Sequence, residues 1–389
     1  MNWKKHRLED LCISITDGDH QSLPVSDRGI PFIVIADINN NNKIEFENAR
    51  YVPIDYYKNL DAKRKATKGD VLLTVKGSFG IPVYVDTDTP FVFQRDIAVL
   101  KCNEKINPLF LFYYMKNQEF YLYLDSLAIG AAQRALTLKT LKNIMISIPS
   151  LKKQNRIVEL LEPYDNLIAN NQKQIKLLEE AAQRLYKEWF VDLRFPGYEN
   201  TKIVDGVPEG WKKEKLTDIA NIQYGYAFDG SLFNTQRKGM PIIRIRNIPN
   251  GTTDDYTTQE ADEQYIVLNG DIIVGMDGEF HINSWSGNIA YLVQRTCKIE
   301  PKNEVMKGWL LQAIYKPIKF FEQTVVGATV AHLGKKHIDA IELLIGTDNL
   351  YVPFKELFDK RQLLLNQNIL LSEARDRLLP QLMSGELEV

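Results

Sequence analysis

Residues 152–190 read KKQNRIVELLEPYDNLIANNQKQIKLLEEAAQRLYKEWF. Apolar residues recur at Ile157, Leu160, Leu161, Tyr164, Leu167, Ile168, Ile175, Leu178, Ala182, Leu185 and Trp189. They mostly fall three to four apart over many turns, the spacing of one helix face, and charged and amide residues fill the other. Pro163 is expected to bend or restart the helix, because its ring removes a backbone donor and crowds the preceding turn. Counted from there, about 28 residues at about 1.5 Å each give a rod of roughly 40 Å, more than a small domain needs to close its core. A second stripe lies within Pro353–Leu387, made by Leu357, Phe358, Leu364, Leu365, Leu371, Leu378, Leu379 and Leu382. The string EEAAQRL (Glu179–Leu185) returns there in part as SEARDRL (Ser372–Leu378). Two long helices with such seams pair with each other. Two unrelated surface helices, each packed on its own domain, are the alternative.

A length of 389 residues suggests two domains or more. Hydrophobic content of 44% and charged content of 25% describe a soluble globular protein. Cys12, Cys102 and Cys297 are odd in number and lack CxxC spacing, which argues for a reducing compartment and against a disulfide frame or zinc site. The opening MNWKKHRLED has no apolar stretch behind its charges, so no signal peptide is read there. No apolar run reaches the length of a membrane span. A net charge of -2 does not by itself point to nucleic acid.

The chain repeats with a period of about 200 residues. Trp3-Lys4-Lys5 with Leu8, Asp10 and Leu11 returns as Trp211-Lys212-Lys213 with Leu216, Asp218 and Ile219. Gly29-Ile30-Pro31 returns as Gly239-Met240-Pro241, Lys68-Gly69-Asp70 as Asn269-Gly270-Asp271, Gln94-Arg95 as Gln294-Arg295, and Ile129-Gly130-Ala131 as Val326-Gly327-Ala328. The order is kept throughout, and each half ends in a long helix.

Each half reads as a small mixed α/β (α+β) domain. The β-rich runs are Phe32–Ile35, Val71–Val75, Val83–Val85, Phe91–Leu100 and Ile144–Ile148, then Ile242–Ile248, Ile272–Val274, Ile289–Val293 and Ile341–Ile345. Asn107-Pro108 is expected to open a helix running to about Leu127. Its counterpart covers Met306–Thr324, with a kink at Pro317. The Pro-, Gly-, Asn- and Asp-rich Pro196–Gly210 reads as a linker. The expected organisation is a first domain over 1–150, a first spacer helix over 151–195, the linker over 196–210, a second domain over 211–347 and a second helix over 348–389. Two like domains joined by two long antiparallel, coiled-coil-like helices can adopt an approximate twofold arrangement within one chain. That suits double-stranded DNA, whose equivalent groove faces recur every ~34 Å.

The halves differ at informative places. Strand alternation would put Arg244 and Arg246 on one face opposite Ile243 and Ile245, beside Asn247. Two guanidiniums there suit phosphates or a guanine edge; a solvated face, or pairing with Asp254 and Asp255, is the alternative. The loops Gly130–Lys142 and Gly327–His337 begin with small residues and then carry Arg134, Lys139 and Lys142, or His332, Lys335, Lys336 and His337. Small residues let the backbone approach phosphate, the cations supply charge, and Gln133 is placed to read a base edge; an ordinary helix-to-strand connection is the alternative. Lys76 and Ser78, and their counterparts Asp277 and His281, sit in loops of similar position. Tyr224, Tyr226 and Phe228 are read as core aromatics more readily than as DNA contacts.

Catalytic patterns are mostly missing. Gly327 to Gly334-Lys335-Lys336 lacks the glycine spacing and the Ser or Thr of a phosphate loop. Glu300-Pro301-Lys302 has an acid-x-Lys spacing without an evident Asp partner. The five histidines show no metal-ligand spacing, and neither GxSxG nor GxGxxG occurs.

Trp3-Lys4-Lys5…Leu8-Glu9-Asp10-Leu11, Gly69-Asp70, Gly130-Ala131-Ala132-Gln133, Ile148-Pro149…Gln154…Ile157 and Trp189-Phe190-Val191-Asp192 resemble the specificity subunits of type I restriction-modification systems, over essentially the whole chain. The second half departs from the pattern, with Val330 in place of Gln133 and no clean Pro-x-x-x-x-Gln before its long helix. The resemblance implies two target-recognition domains, each for one half of a split DNA sequence, on a paired-helix spacer. That spacer docks two methyltransferase subunits, and through them motor and nuclease subunits. It implies no catalysis and no cofactor in this chain; S-adenosylmethionine, ATP and magnesium belong to the partners, and the setting is cytoplasmic. The expected DNA contacts are Lys76, Ser78, Arg95, Gln133, Arg134 and Lys139, with Arg244, Arg246, Asn247, His281, Arg295, His332, Lys335 and Lys336. A pseudo-symmetric protein-binding scaffold is the competing reading, and a fused nuclease-methylase remnant using Glu300 is a third.

Overall fold

The computed structural model describes residues 3–19, 23–39, 41–130, 134–324 and 331–389. The chain forms two compact units, Met1–Asp165 with Glu373–Val389, and Asn166–Ser372.

In the first unit Lys4–Arg7 pairs antiparallel with Met145–Ile148. A four-stranded sheet runs in the order Cys12–Asp17, Ile97–Cys102, Val71–Thr74, Pro82–Tyr84. A three-stranded sheet runs Arg50–Val52, Ile30–Ile33, Val92–Phe93, with its last pair parallel. Side chains alternate along the central strands. Val71, Leu73, Ala98 and Leu100 enter one core, while Leu72, Ile97 and Val99 enter another. Burial on both faces is why these strands read as unbroken apolar runs.

The second unit repeats the plan. Lys212–Lys215 pairs with Glu342–Ile345, and the four-stranded sheet runs Ala220–Tyr224, Thr296–Pro301, Ile272–Gly275, Ile282–Ser284. Its other sheet gains an edge strand on each side: Phe233–Asn234, Tyr256–Thr257, Met240–Ile243, Ala290–Leu292, Ile266–Val267. The repeated Gly-Asp is a turn. Gly69 and Gly270 sit at φ 94° and 88°, open to glycine at little cost. Asp70 and Asp271 accept the N–H of Thr67 and Leu268 at 2.8 Å each, and each carboxylate pairs with a lysine, Lys101 at 2.5 Å and Lys298 at 3.5 Å.

The first long helix is continuous over Leu151–Tyr186, with Pro163 inside it, so the proline does not restart it. One missing donor is outweighed by the buried face on both sides of it, Ile157, Leu161 and Ile168. The second long helix spans Val352–Ser384. Antiparallel pairing is written in three contacts, each inside one unit. Asp165 accepts from Arg375 at 2.6 Å in the first. In the second, Asn171 donates to Asn368 at 3.0 Å and Glu179 accepts from Arg361 at 2.6 Å.

Both helix starts are tied to their units. Gln154 is fully buried; its Nε2 donates to the carbonyls of Pro149 and Lys105, and its Oε1 accepts the Asn107 N–H. The second half has Tyr351 in a similar role, its hydroxyl bonded to both the N–H and the carbonyl of Gly346. The helix ends are exchanged. Leu379, Leu382 and Met383 of the second helix complete the first unit's core. Phe190, in the wide turn Lys187–Val191 that closes the first helix, lies in the second unit's core with its ring 5.1 Å from Trp211, 5.6 Å from Trp309 and 5.9 Å from Phe354.

Several sequence expectations change. The helix after Asn107 is two helices, Pro108–Lys116 and Gln118–Leu127, parted at Asn117, whose ψ of 134° is extended. Rather than kinking one helix, Pro317 lies in the first turn of Tyr315–Thr324, and the break falls after Lys307–Ala313. The ring would otherwise crowd the Ala313 carbonyl, four residues back. Phe91–Leu100 contains two strands separated at Gln94–Asp96. Pro196–Gly210 holds a hairpin, Ile203–Val204 with Val207–Pro208, turning at Asp205-Gly206 with φ positive at both. His337 faces inward, accepting the Gly334 N–H on Nδ1 at 3.0 Å and stacking on Phe321.

Phe190→Ala is expected to cost about 3–5 kcal/mol and Leu382→Ala about 2–5 kcal/mol, measured by denaturant unfolding of the full chain. Burial, with Lys336 and His332 nearby, lowers the His337 pKa. The folded state then binds this proton less readily than the unfolded chain. The stabilisation is complete above the ordinary histidine pKa of about 6.5 and fades as pH falls through it. Between pH 7.5 and 5 the wild-type melting midpoint should fall more steeply than that of His337→Gln.

Candidate nucleic-acid interface

Each unit stitches three loops together at the end of its four-stranded sheet. In the first, the Val75 N–H donates to the Asp96 carbonyl and the Leu136 N–H to the Val75 carbonyl, both at 2.8 Å. Lys76 faces Ala135 across a single antiparallel bridge. In the second, the Met276 N–H donates to the Arg295 carbonyl and the Leu333 N–H to the Met276 carbonyl, again at 2.8 Å, and Asp277 faces His332. The loops are held by main-chain bonds that do not depend on their side chains, which leaves those side chains free to differ.

Two glycines let a further segment press on one loop of each cluster. A Cβ on Gly18 would come within 2.3 Å of the Phe93 carbonyl oxygen, and one on Gly225 within 2.0 Å of that of Val293. Neither was singled out in the sequence, although Gly18 and Gly225 follow the first strand of the two equivalent sheets. Their signal was the repeat itself, extended by one more glycine.

The clusters gather many of the expected contacts. Lys76, Ser78, Arg95 and Arg134 lie in or beside the first, with Lys139 on the short helix Leu138–Asn143. His281, Arg295 and His332 lie in or beside the second, and Lys335 and Lys336 open the helix Lys335–Asp339. Gln133 falls outside the described residues.

The cations differ in freedom. Lys76, Lys139, Lys335 and Lys336 have no acidic partner among the described residues. Among the described residues Arg95 has only Asp96, at 4.0 Å. Arg134 is tied to Asp125 at 3.1 Å. Arg295 and His332 share Asp277 at 2.6 and 2.5 Å. The Glu279 carboxylate is 3.6 Å from the His281 ring. Glu322, behind that loop, is partly buried, but Lys319 at 2.7 Å and the Phe280 N–H at 2.6 Å hold its pKa below the usual carboxylate value.

Arg244 and Arg246 are not on a strand face. The strand Met240–Ile243 ends before them, and Ile245–Asn247 is a tight turn. Asn247 Oδ1 accepts the Arg244 N–H at 2.8 Å and closes that turn, as Asp37 does for Val34 in the first unit. A side-chain acceptor three residues on competes with extension, a cue that alternation alone passes over. Arg246 pairs with buried Asp255 at 2.5 Å, and Arg244 lies 5.6 Å over the Phe233 ring. Phe228 is buried and Tyr226 packs against it at 4.9 Å, in agreement with the core reading.

Among the described residues no group of three or more His, Cys, Asp or Glu could hold a metal ion, and no helix is long and apolar enough to cross a membrane.

The profile described as type I restriction modification DNA specificity domain matches residues 1–180 and 208–345. The chain is 24% identical over 342 residues to the type I restriction enzyme MjaIX specificity subunit of Methanocaldococcus jannaschii, covering 83% of this chain and 78% of that one. It is also 24% identical to the HindI specificity subunit of Haemophilus influenzae, covering 99% and 100% of the two chains. A shorter match, 34% over 131 residues, links it to the EcoBI specificity subunit of Escherichia coli, covering 33% and 28%. The crystal structure of a type I restriction-modification S subunit from M. genitalium shares its fold with a TM-score of 0.60 at 17% identity, covering 98% and 96%. With two matched segments that take in most of the chain and fall on the two halves of its repeat, this protein belongs to the type I restriction-modification DNA specificity family.

Proposed function

We propose that the chain reads a two-part DNA target, one part with the loop cluster of each unit, and presents its long helices to methyltransferase subunits. The observation that supports this reading most is the duplicated cluster: one main-chain frame used twice, carrying different side chains each time. A frame with exchangeable side chains is what a reader of two unlike sequences requires, because base edges and not the backbone carry sequence information. Lysines beside each cluster that have no acidic partner among the described residues suit phosphates, whose contacts set position on the duplex. As a DNA-recognition subunit the chain leaves the chemistry to its partners. S-adenosylmethionine is held by the methyltransferase subunits, and ATP and magnesium by the motor and nuclease subunits that join through them. The target base is flipped from the stack into a partner's pocket. The setting is cytoplasmic.

The test exchanges residues 211–345 for the equivalent segment of a relative with a different target, in complex with the methyltransferase subunits. Methylation mapping is expected to show one half of the target changed and the other retained. An unchanged target in both halves would overturn the reading.

A further inference from the structure

The two loop clusters agree in backbone and disagree in charge. Where the first has Lys76 opposite Ala135, the second has Asp277 opposite His332. Both Asp277 oxygens are engaged: Arg295 Nη1 donates to Oδ2 at 2.6 Å, and His332 Nδ1 donates to Oδ1 at 2.5 Å. The Asp277 side chain is 25% exposed, while Arg295 and His332 stay open at 57% and 50%. Arg295 also has φ at 68°, a left-handed conformation uncommon for a residue with a Cβ.

Two things follow. A bare carboxylate facing DNA would repel phosphate, but Asp277 beside Arg295 sums to about zero charge, so the pair adds little to general phosphate attraction. The guanidinium uses only Nη1 on the carboxylate, and its Nε–Nη2 edge has no partner among the described residues. That edge is a planar fork matched to two adjacent acceptors, the pattern of guanine N7 and O6. Among the described residues Lys76 and Arg95 in the first unit have no comparable restraint. Loosely held cations favour phosphate, and a fixed fork favours a base edge.

We propose that Asp277 is a positioning residue that fixes Arg295 to read a guanine in the half of the target addressed by the second unit. Lys76 and Arg95 serve phosphate contact in the first. This rests on the DNA-recognition reading above and goes further by naming the base and the residue that aims its reader.

The experiment uses the complete chain assembled with its methyltransferase subunits. The probe is a double-stranded DNA library randomised over both target halves, with methylation read by sequencing at low and high salt. The wild type is expected to require guanine at one position of the second half. Arg295→Lys keeps the charge and loses the fork, and Asp277→Asn loosens it. Each should relax that single preference about tenfold or more, with the first half unchanged. Paired Lys76→Ala and Arg95→Ala substitutions should weaken methylation of all sequences alike and flatten the salt dependence. Melting of Arg295→Lys at the wild-type midpoint separates lost reading from lost folding. Retention of every base preference in both Arg295→Lys and Asp277→Asn, or equal relaxation in both halves, overturns the proposal. A wild-type complex with no two-part preference at all fails the recognition reading itself, and the proposal with it.

Discussion

Each unit closes its core with the end of a long helix. The first is completed by Leu379, Leu382 and Met383, which arrive from the far end of the chain. The second is completed by Phe190, delivered by the helix that begins in the first. The exchange is reciprocal, so loss of either helix end opens a core. The strings EEAAQRL and SEARDRL each run into the apolar helix end that enters a core, Leu185 to Phe190 in one and Leu378 to Met383 in the other. The polar groups on the paired faces add selectivity more than stability. Buried Asn171 must find Gln367 or Asn368, and Arg375, nearly buried, must find Asp165. A shift of register would strand these groups, and an uncompensated buried charge costs about 3–5 kcal/mol.

Much of this is legible in the sequence. The helix stripes, the repeat and the strand runs are signals of period and order, and these survive because each is summed over many residues. The Gly-Asp turn was visible as a repeated pair, and its reason became visible only with φ and the Asp hydrogen bonds. The errors were local. Asn117, Pro317 and Asn247 each end or redirect an element through one hydrogen bond or one steric clash. A window that averages hydrophobicity does not register a single bond. Arg246 shows the same limit for the candidate site: its partner Asp255 is among the alternatives, and only a fold that brings residue 255 back to the turn makes that pair. Gln154 belongs to a sequence motif, and burial between three backbone partners supplies the physical cause of that motif.

The division between frame and surface follows from where the free energy lies. The sheets are buried on both faces, and the loops are joined by main-chain bonds between Val75, Asp96 and Leu136, or between Met276, Arg295 and Leu333. Side chains at the loop tips contribute little to these bonds, so Lys76 and Asp277 can occupy one position without moving the frame. The two glycines at 18 and 225 show the opposite case: they touch the frame directly, and both halves keep them. A duplicated frame with divergent tips lets recognition change without refolding. On the proposed reading, the tips that change charge sign between the halves, such as Lys76 against Asp277, are where a difference in the DNA read by each unit has its physical origin.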